Sequence, residues 1–220
     1  MQRFFTVHSR EDLLRLVMHV GFLPFFSNSI PGWSLEEHAD PAIWFTSEEG
    51  PWEWKGQLAS RKQVIYGKFF HRKAAFVSPD IFSLLASFRR EGMTFQERAD
   101  DGTVPRNDML FMNSLTQHPG IRSSYLKHLL PFSKGFDTVS ARLQMQTDVV
   151  IQDFVYDIDR HGKPYGWGNA ALITADQWLG QAWADRVEDM DPDASMDQLT
   201  ASLHRLMSDI PSEQFRRELC

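Results

Sequence analysis

The sequence predicts an α+β fold: two helical units, each closed by a β-hairpin, followed by a helical tail. Two observations carry this. Two pairs of β-rich runs, each split by a short polar turn, follow stretches with helical spacing of apolar residues. Each pair is followed at once by a Ser or Thr placed to cap a helix. The composition agrees. A chain of 220 residues, 42% hydrophobic and 24% charged, can bury a core and is too apolar for wholesale disorder.

Each element has its own signal. Ser9-Arg10-Glu11-Asp12 resembles a capping box, Leu13, Leu14, Val17, Met18 and Val20 form the stripe behind it, and Gly21 is the stop. Pro24, Asn28, Pro31 and Gly32 mark a loop, and Ser34 caps a short helix through His38. After the break at Gly50-Pro51, a helix is expected from Trp52 to about Ser60. Runs 63–70 and 73–77 read as a hairpin with His71 and Arg72 near its tip. Ser78 then caps a helix that has Pro79 at its first position and runs to about Arg90. Residues 91–104, with Gly92, Asp100, Asp101 and Gly102, read as a loop.

Residues 105–117 predict a helix, 121–130 a shorter one and 136 to about 143 a third, with breaks at His118-Pro119-Gly120 and at 131–135. A strand over 149–156, a turn at 159–164 and a strand over 165–173 follow. Helix, helix, helix, strand, turn, strand is the winged-helix order, with a helix-turn-helix inside it. The hairpins also resemble one another. Gly67-Lys68-Phe69-Phe70 aligns with Gly162-Lys163-Pro164-Tyr165. After a one-residue shift, Ala74-Ala75-Phe76-Val77-Ser78-Pro79-Asp80 aligns with Ala170-Ala171-Leu172-Ile173-Thr174-Ala175-Asp176. The expected organisation is a tandem of winged-helix-like units over residues 9–90 and 104–190, with an acidic helical tail over 191–220.

Charge is distributed unevenly. The net charge is -6, with 29 acidic and 23 basic residues. Residues 1–50 carry -4, 51–134 carry +6, 135–175 carry -2 and 176–220 carry -6. The deficit belongs to the tail region, expected as a pair of solvated amphipathic helices, and the basic middle leaves room for an anionic partner. A single Cys, at position 220, excludes a disulfide framework and a Cys-based zinc site. None of the eight His stands at a metal-ligand spacing, and no phosphate-binding loop, dinucleotide fingerprint or nucleophile-elbow serine occurs. Neither metal nor cofactor is expected. With no secretion signal and no long apolar run, a cytoplasmic protein without membrane contact is expected.

The most pointed segment is Arg142-Leu143-Gln144-Met145-Gln146-Thr147-Asp148. If extended, it points Gln144, Gln146, Asp148 and Gln152 to one side. Two amides and a carboxylate on one face can hold a water and a polar substrate edge. On a helix, residues two apart would not share a site. Basic residues are candidates for phosphate contact: Arg72 and Lys73 at the first turn, Arg160 and Lys163 at the second, Lys134 at the helix-turn-helix, and Lys55, Lys68 and Arg142 elsewhere in the chain. Trp52 and Trp54, interleaved with Glu53 and Lys55, are candidates for stacking a base. Tyr165 and Trp167, flanked by Gly166 and Gly168, are candidates for the same pocket, because Gly lets a ligand or a second backbone approach.

The Gln-hydrophobic-Gln pattern after a third helix resembles the active-site motif of the AlkZ/YcaQ-type winged-helix DNA glycosylases. Gly50-Pro51-Trp52-Glu53-Trp54-Lys55-Gly56, Tyr66-Gly67-Lys68-Phe69-Phe70, Gly135-Phe136-Asp137-Thr138, Leu143-Gln144-Met145-Gln146-Thr147 and Pro164-Tyr165-Gly166-Trp167-Gly168 resemble the short AlkZ-related group of bacterial proteins. The resemblance covers most of residues 10–185. It implies hydrolysis of the N-glycosidic bond of alkylated bases in DNA, with Gln144 and Gln146 orienting water and contacting the sugar. Asp148, outside the motif proper, would set negative charge against a cationic base. In the longer glycosylases the motif stands early in the chain; here it stands at 144–146. Two rival classes remain open. A non-catalytic DNA-binding module would want a basic third helix, whereas 136–148 holds one Arg and two Asp. A protein-interaction module would show an exposed apolar patch.

Overall fold

The computed structural model describes residues 4–44 and 49–220, except the side chains of Pro164 and Trp167. The first half runs α1 (Arg10–Val20), β1 (Phe22–Pro24), α2 (Leu35–His38), a 3-10 turn (Pro41–Ile43), α3 (Pro51–Ser60), β2 (Ile65–Phe70), β3 (Lys73–Val77) and α4 (Pro79–Arg90). The second runs α5 (Phe95–Asp100), α6 (Arg106–Gln117), β4 (Ile121–Arg122), α7 (Ser123–Leu129), α8 (Phe136–Met145), β5 (Val149–Ile158) and β6 (Pro164–Thr174). Four helices end the chain: α9 (Ala175–Leu179), α10 (Gln181–Glu188), α11 (Pro192–Leu206) and α12 (Ser212–Leu219). The fold is mixed α/β with two small antiparallel sheets, ordered β1-β3-β2 and β4-β6-β5.

Local chemistry explains most boundaries. Ser9 Oγ accepts from the Asp12 amide at 3.1 Å, and the Asp12 carboxylate reaches back to the His8 amide at 3.1 Å. Gly21 closes α1 at φ +82°, a conformation that suits a residue without Cβ. Pro51 and Pro79 occupy first helical positions. His71 and Arg72 form a two-residue hairpin turn with φ of +47° and +62°, the mirror-image geometry that matches strand twist.

Part of the repeat aligns in space. Leu23 pairs with Phe76 as Ile121 pairs with Leu172, and Tyr66 pairs with Phe76 as Ile151 pairs with Leu172. Ser78 and Thr174 stand at the same place before α4 and α9. Only Thr174 caps with its side chain, accepting from the Gln177 amide at 3.3 Å, while the expected cap from the Ser78 hydroxyl does not form. The other aligned stretch pairs unlike elements. Gly67 to Phe70 lie in β2, the first strand of its hairpin, whereas Gly162 to Tyr165 span the turn and the start of a second strand. Gly180 then breaks the counterpart of α4 into α9 and α10.

Other differences follow from length. β1 and β4, of three and two residues, are too short to show alternation. The expected loop at 91–104 contains α5, held by a capping box in which Thr94 and Glu97 exchange hydrogen bonds of 2.8 and 3.1 Å. The tail is four helices, and its last two are not simply solvated. Met196, Leu199, Leu203, Phe215 and Leu219 join one core with both halves, and α11 lies against α4.

Candidate functional site

The segment around Gln144 is not extended. α8 continues through Met145, Gln146 caps it, and Thr147 at φ +65° turns the chain into β5. The expected shared face of Gln144, Gln146, Asp148 and Gln152 therefore does not form. Gln144 is 1% exposed and its amide is committed. Its Oε1 accepts from the Lys68 amide at 2.9 Å, and its Nε2 donates to the Ser140 carbonyl and Oγ at 3.1 and 3.0 Å. Asp148 is equally buried. Arg98 lies 2.5 Å from it and Arg90 lies 3.6 Å away. Burial pushes its carboxyl up, against the pull of the two guanidiniums. Gln146 differs: half-buried, its side-chain amide makes no hydrogen bond among the described residues, and it lines a cleft of about 570 Å³ with Phe88, Arg89 and Met145.

The basic candidates separate into two groups. Arg142 donates twice to buried Asp108, and Lys68 is half-buried with its backbone tied to Gln144. Lys55 is buried. Arg72, Lys73, Lys134, Arg160 and Lys163 are exposed. The first hairpin tip is partly covered: His71 pairs with Glu218 of α12 at 2.9 Å, and the Arg72 amide meets Met145 Sδ at 3.3 Å. The second tip stands clear, with Ile158 and Tyr165 59% and 57% exposed.

A second cleft, of about 470 Å³, lies between α3 and the β5–β6 hairpin. Glu49, Glu53 and Gln57 line one side, and Asp153, Phe154, Tyr156 and Tyr165 the other. Glycines permit this closeness. A Cβ on Gly56 would sit 3.1 Å from Asp153 Oδ1 and 3.4 Å from Phe154 Cδ2. A Cβ on Gly168 would sit 2.9 Å from Tyr156 Cζ, so the missing side chain seats that ring against β6. The β5 register slips between Ile151 and Asp153. The bulge turns the successive residues Asp153 and Phe154 both toward α3.

The cleft is acidic and aromatic. Glu53 accepts from the Gly50 amide at 2.9 Å, and Asp153 accepts from the Phe154 amide at 2.7 Å. Burial first, and the charges of Glu53 and Asp153 after it, push the Tyr156 phenol up, so it stays a hydrogen-bond donor. Behind the cleft wall, Lys55 Nζ lies 4.3 Å from the centre of the Phe154 ring and 4.9 Å from that of Trp52. Burial pushes this amine down to about 8, against the pull of Glu53. Trp54 is buried in the core.

The structure thus brings Tyr165 to one cleft and places Trp52 and Lys55 behind it, while Gln146 faces another. The Trp167 side chain lies outside the described residues. Asp153, Phe154 and Tyr156 escaped the sequence reading. Their signal was a strand whose polar and aromatic residues, Gln152 to Tyr156, break strict alternation. Among the described residues, no group of three or more His, Cys, Asp or Glu could hold a metal ion, and no helix is long and apolar enough to cross a membrane.

Fold and site define a class: a mixed α/β protein with two small sheets and a cleft where a helix of one half meets the hairpin of the other. The AlkZ-related family matches residues 7–219, and the chain belongs to that family. The resemblance read from the motifs is borne out at that level. No curated protein and no solved structure matches the chain.

Proposed function

We propose that the chain is a DNA-binding protein that releases N-alkylated bases by hydrolysing the N-glycosidic bond, with the base held in the cleft between α3 and the β5–β6 hairpin. The observation that carries this is the lining of that cleft, carboxylates beside aromatic rings, in a protein of the AlkZ-related family. An N-alkylated purine is planar and cationic. Ring faces and carboxylates attract such a group, and both stabilise the positive charge that moves to the sugar as the bond breaks. The base leaves neutral. A water then adds to C1′ and gives its proton to a carboxylate, for which Asp153 and Glu53 are the candidates. The phosphates stay outside, where Arg160 and Lys163 of the exposed turn reach them.

The architecture supports DNA binding. Each half has the order helix, strand, helix, helix, strand, strand, with the last strand central in its sheet, as in a winged helix. In this reading the units span residues 9–90 and 104–190, and residues 191–220 buttress α4. Gln144 serves as a staple, and Gln146 lies at a second nucleotide-sized opening. A base-release assay on alkylated duplex and single-stranded DNA tests the reading. Asp153→Asn and Glu53→Gln should lower turnover by roughly 100-fold or more with folding intact. Wild-type protein that releases no base would overturn it. The commitment of the Gln144 amide favours one alternative, DNA binding without excision; it would leave a salt-sensitive complex and no released base.

A further inference from the structure

We infer that Lys55 is a reactive amine that condenses with the open-chain aldehyde of a deoxyribose held in the cleft between α3 and the β5–β6 hairpin. The choice of aldehyde rests on the excision reading, because removing a base leaves C1′ as a hemiacetal in equilibrium with an aldehyde. The amine itself is argued from its surroundings. Lys55 is 8% exposed, and among the described residues its Nζ has neither a salt bridge nor a hydrogen-bond partner. Two ring faces, Phe154 and Trp52, lie against its ammonium, with the charge of Glu53 adding a pull without a direct contact. A buried cation held in this way loses far more hydration than ring faces return. At a pKa of about 8, roughly a tenth of the amine is neutral at pH 7. A neutral, desolvated lysine amine is a nucleophile toward carbonyl carbon.

The route is short. Phe154 covers Nζ and also lines the cleft, so displacement of one ring joins the two spaces. Glu53 and Asp153 stand on the cleft side as proton carriers. The Nζ lone pair adds to C1′ and gives a carbinolamine. A carboxylate takes the proton from nitrogen and returns it to the departing hydroxyl, water leaves, and a C=N bond remains. No oxidant or reductant is consumed. The acidic lining also selects the sugar carbonyl over a phosphate.

Free 2-deoxyribose and an abasic site in DNA offer the same aldehyde. The test incubates the full chain with either 2-deoxyribose or an oligonucleotide carrying a preformed abasic site. Cyanoborohydride then fixes the imine, and peptide mass spectrometry locates it. The expected adduct lies on Lys55 and rises with pH to half its maximum near 8. It falls to background in Lys55→Met and Lys55→Arg and persists in Lys127→Met, an exposed control. An adduct with one aldehyde only identifies the source. Wild-type protein left unmodified at Lys55 by both, or modified only at exposed lysines, overturns the inference, whatever the variants do. The preformed site needs no base release. Trapping without base release therefore overturns the excision reading alone, and base release with Lys55 unmodified overturns this inference alone.

Discussion

Gln144 ties α8 to β2 through a single amide, with the Lys68 backbone on one side and Ser140 on the other. Removing it leaves the Lys68 N–H without its acceptor at a part-buried position. Gln144→Ala should therefore lower stability by about 1–3 kcal/mol, seen as a lower urea midpoint. Gln146→Ala removes an amide that holds nothing and should stay within about 0.5 kcal/mol. Equal losses in both variants would refute the distinction. The two glutamines look alike in sequence, and spacing alone left helix and strand open; the fold makes one a staple and the other a cleft residue. Lys55 gives a second residue-scale prediction. Its folded value of about 8 lies below the ordinary 10.5. Between these, the unfolded chain binds more protons, so stability rises with pH across that window. The urea midpoint of wild type relative to Lys55→Met should climb from pH 7.5 to 10.5. A constant difference over that range would show that Lys55 is not depressed.

Elements with caps or paired breakers were legible: α1 from Ser9 and Gly21, α3 from Gly50-Pro51, α4 from Ser78-Pro79. Those whose existence depends on a distant partner were not. β1 and β4 are edge strands that exist because β3 and β6 offer them hydrogen bonds. The end of α8 misled for a related reason. Alternating polar and apolar residues over 142–148 suit a strand, but the amides of Gln146, Thr147 and Asp148 donate back to Arg142, Gln144 and Leu143. α5 is a different case, because Thr94 and Glu97 form a capping box that the surrounding Gly and Asp residues masked. The cap gives this short helix its first turn. Thr94→Ala should cost about 0.5–2 kcal/mol and speed hydrogen exchange at the amides of 97 and 98. Unchanged exchange there would mean that packing, not the cap, sets the helix start.

At the scale of the molecule, the uneven charge has a structural explanation. Several cations of the basic middle point inward. Lys55 is sandwiched between rings, Arg90 and Arg98 enclose Asp148, and Arg89 donates to the carbonyls of Phe69, Met145 and Leu219. The tail acids are also partly engaged: Asp176 with Arg90, Glu218 with His71, Asp193 and Asp197 with Arg216. The partition by segment was legible in the sequence, but the direction in which each charge faces was not, because that depends on packing across the two halves. Four of the thirteen cations of that segment are thus turned inward, and Arg61, Lys62, Arg72, Lys73, Arg106, Lys127 and Lys134 remain exposed. The exposed cations on the hairpin turns are Arg72, Lys73, Arg160 and Lys163, and the first pair sits where α12 partly covers its hairpin tip. DNA held by the hairpin turns alone should accordingly neutralise few phosphates. If all four engage, log Kobs against log salt should fall with a slope no steeper than roughly -4, and with the second hairpin alone roughly -2. Fluorescence anisotropy with labelled duplex over about 50–300 mM salt measures this. Arg160→Ala with Lys163→Ala should flatten the slope by about 2. A slope steeper than about -6 would mean that DNA lies on some face other than the hairpins.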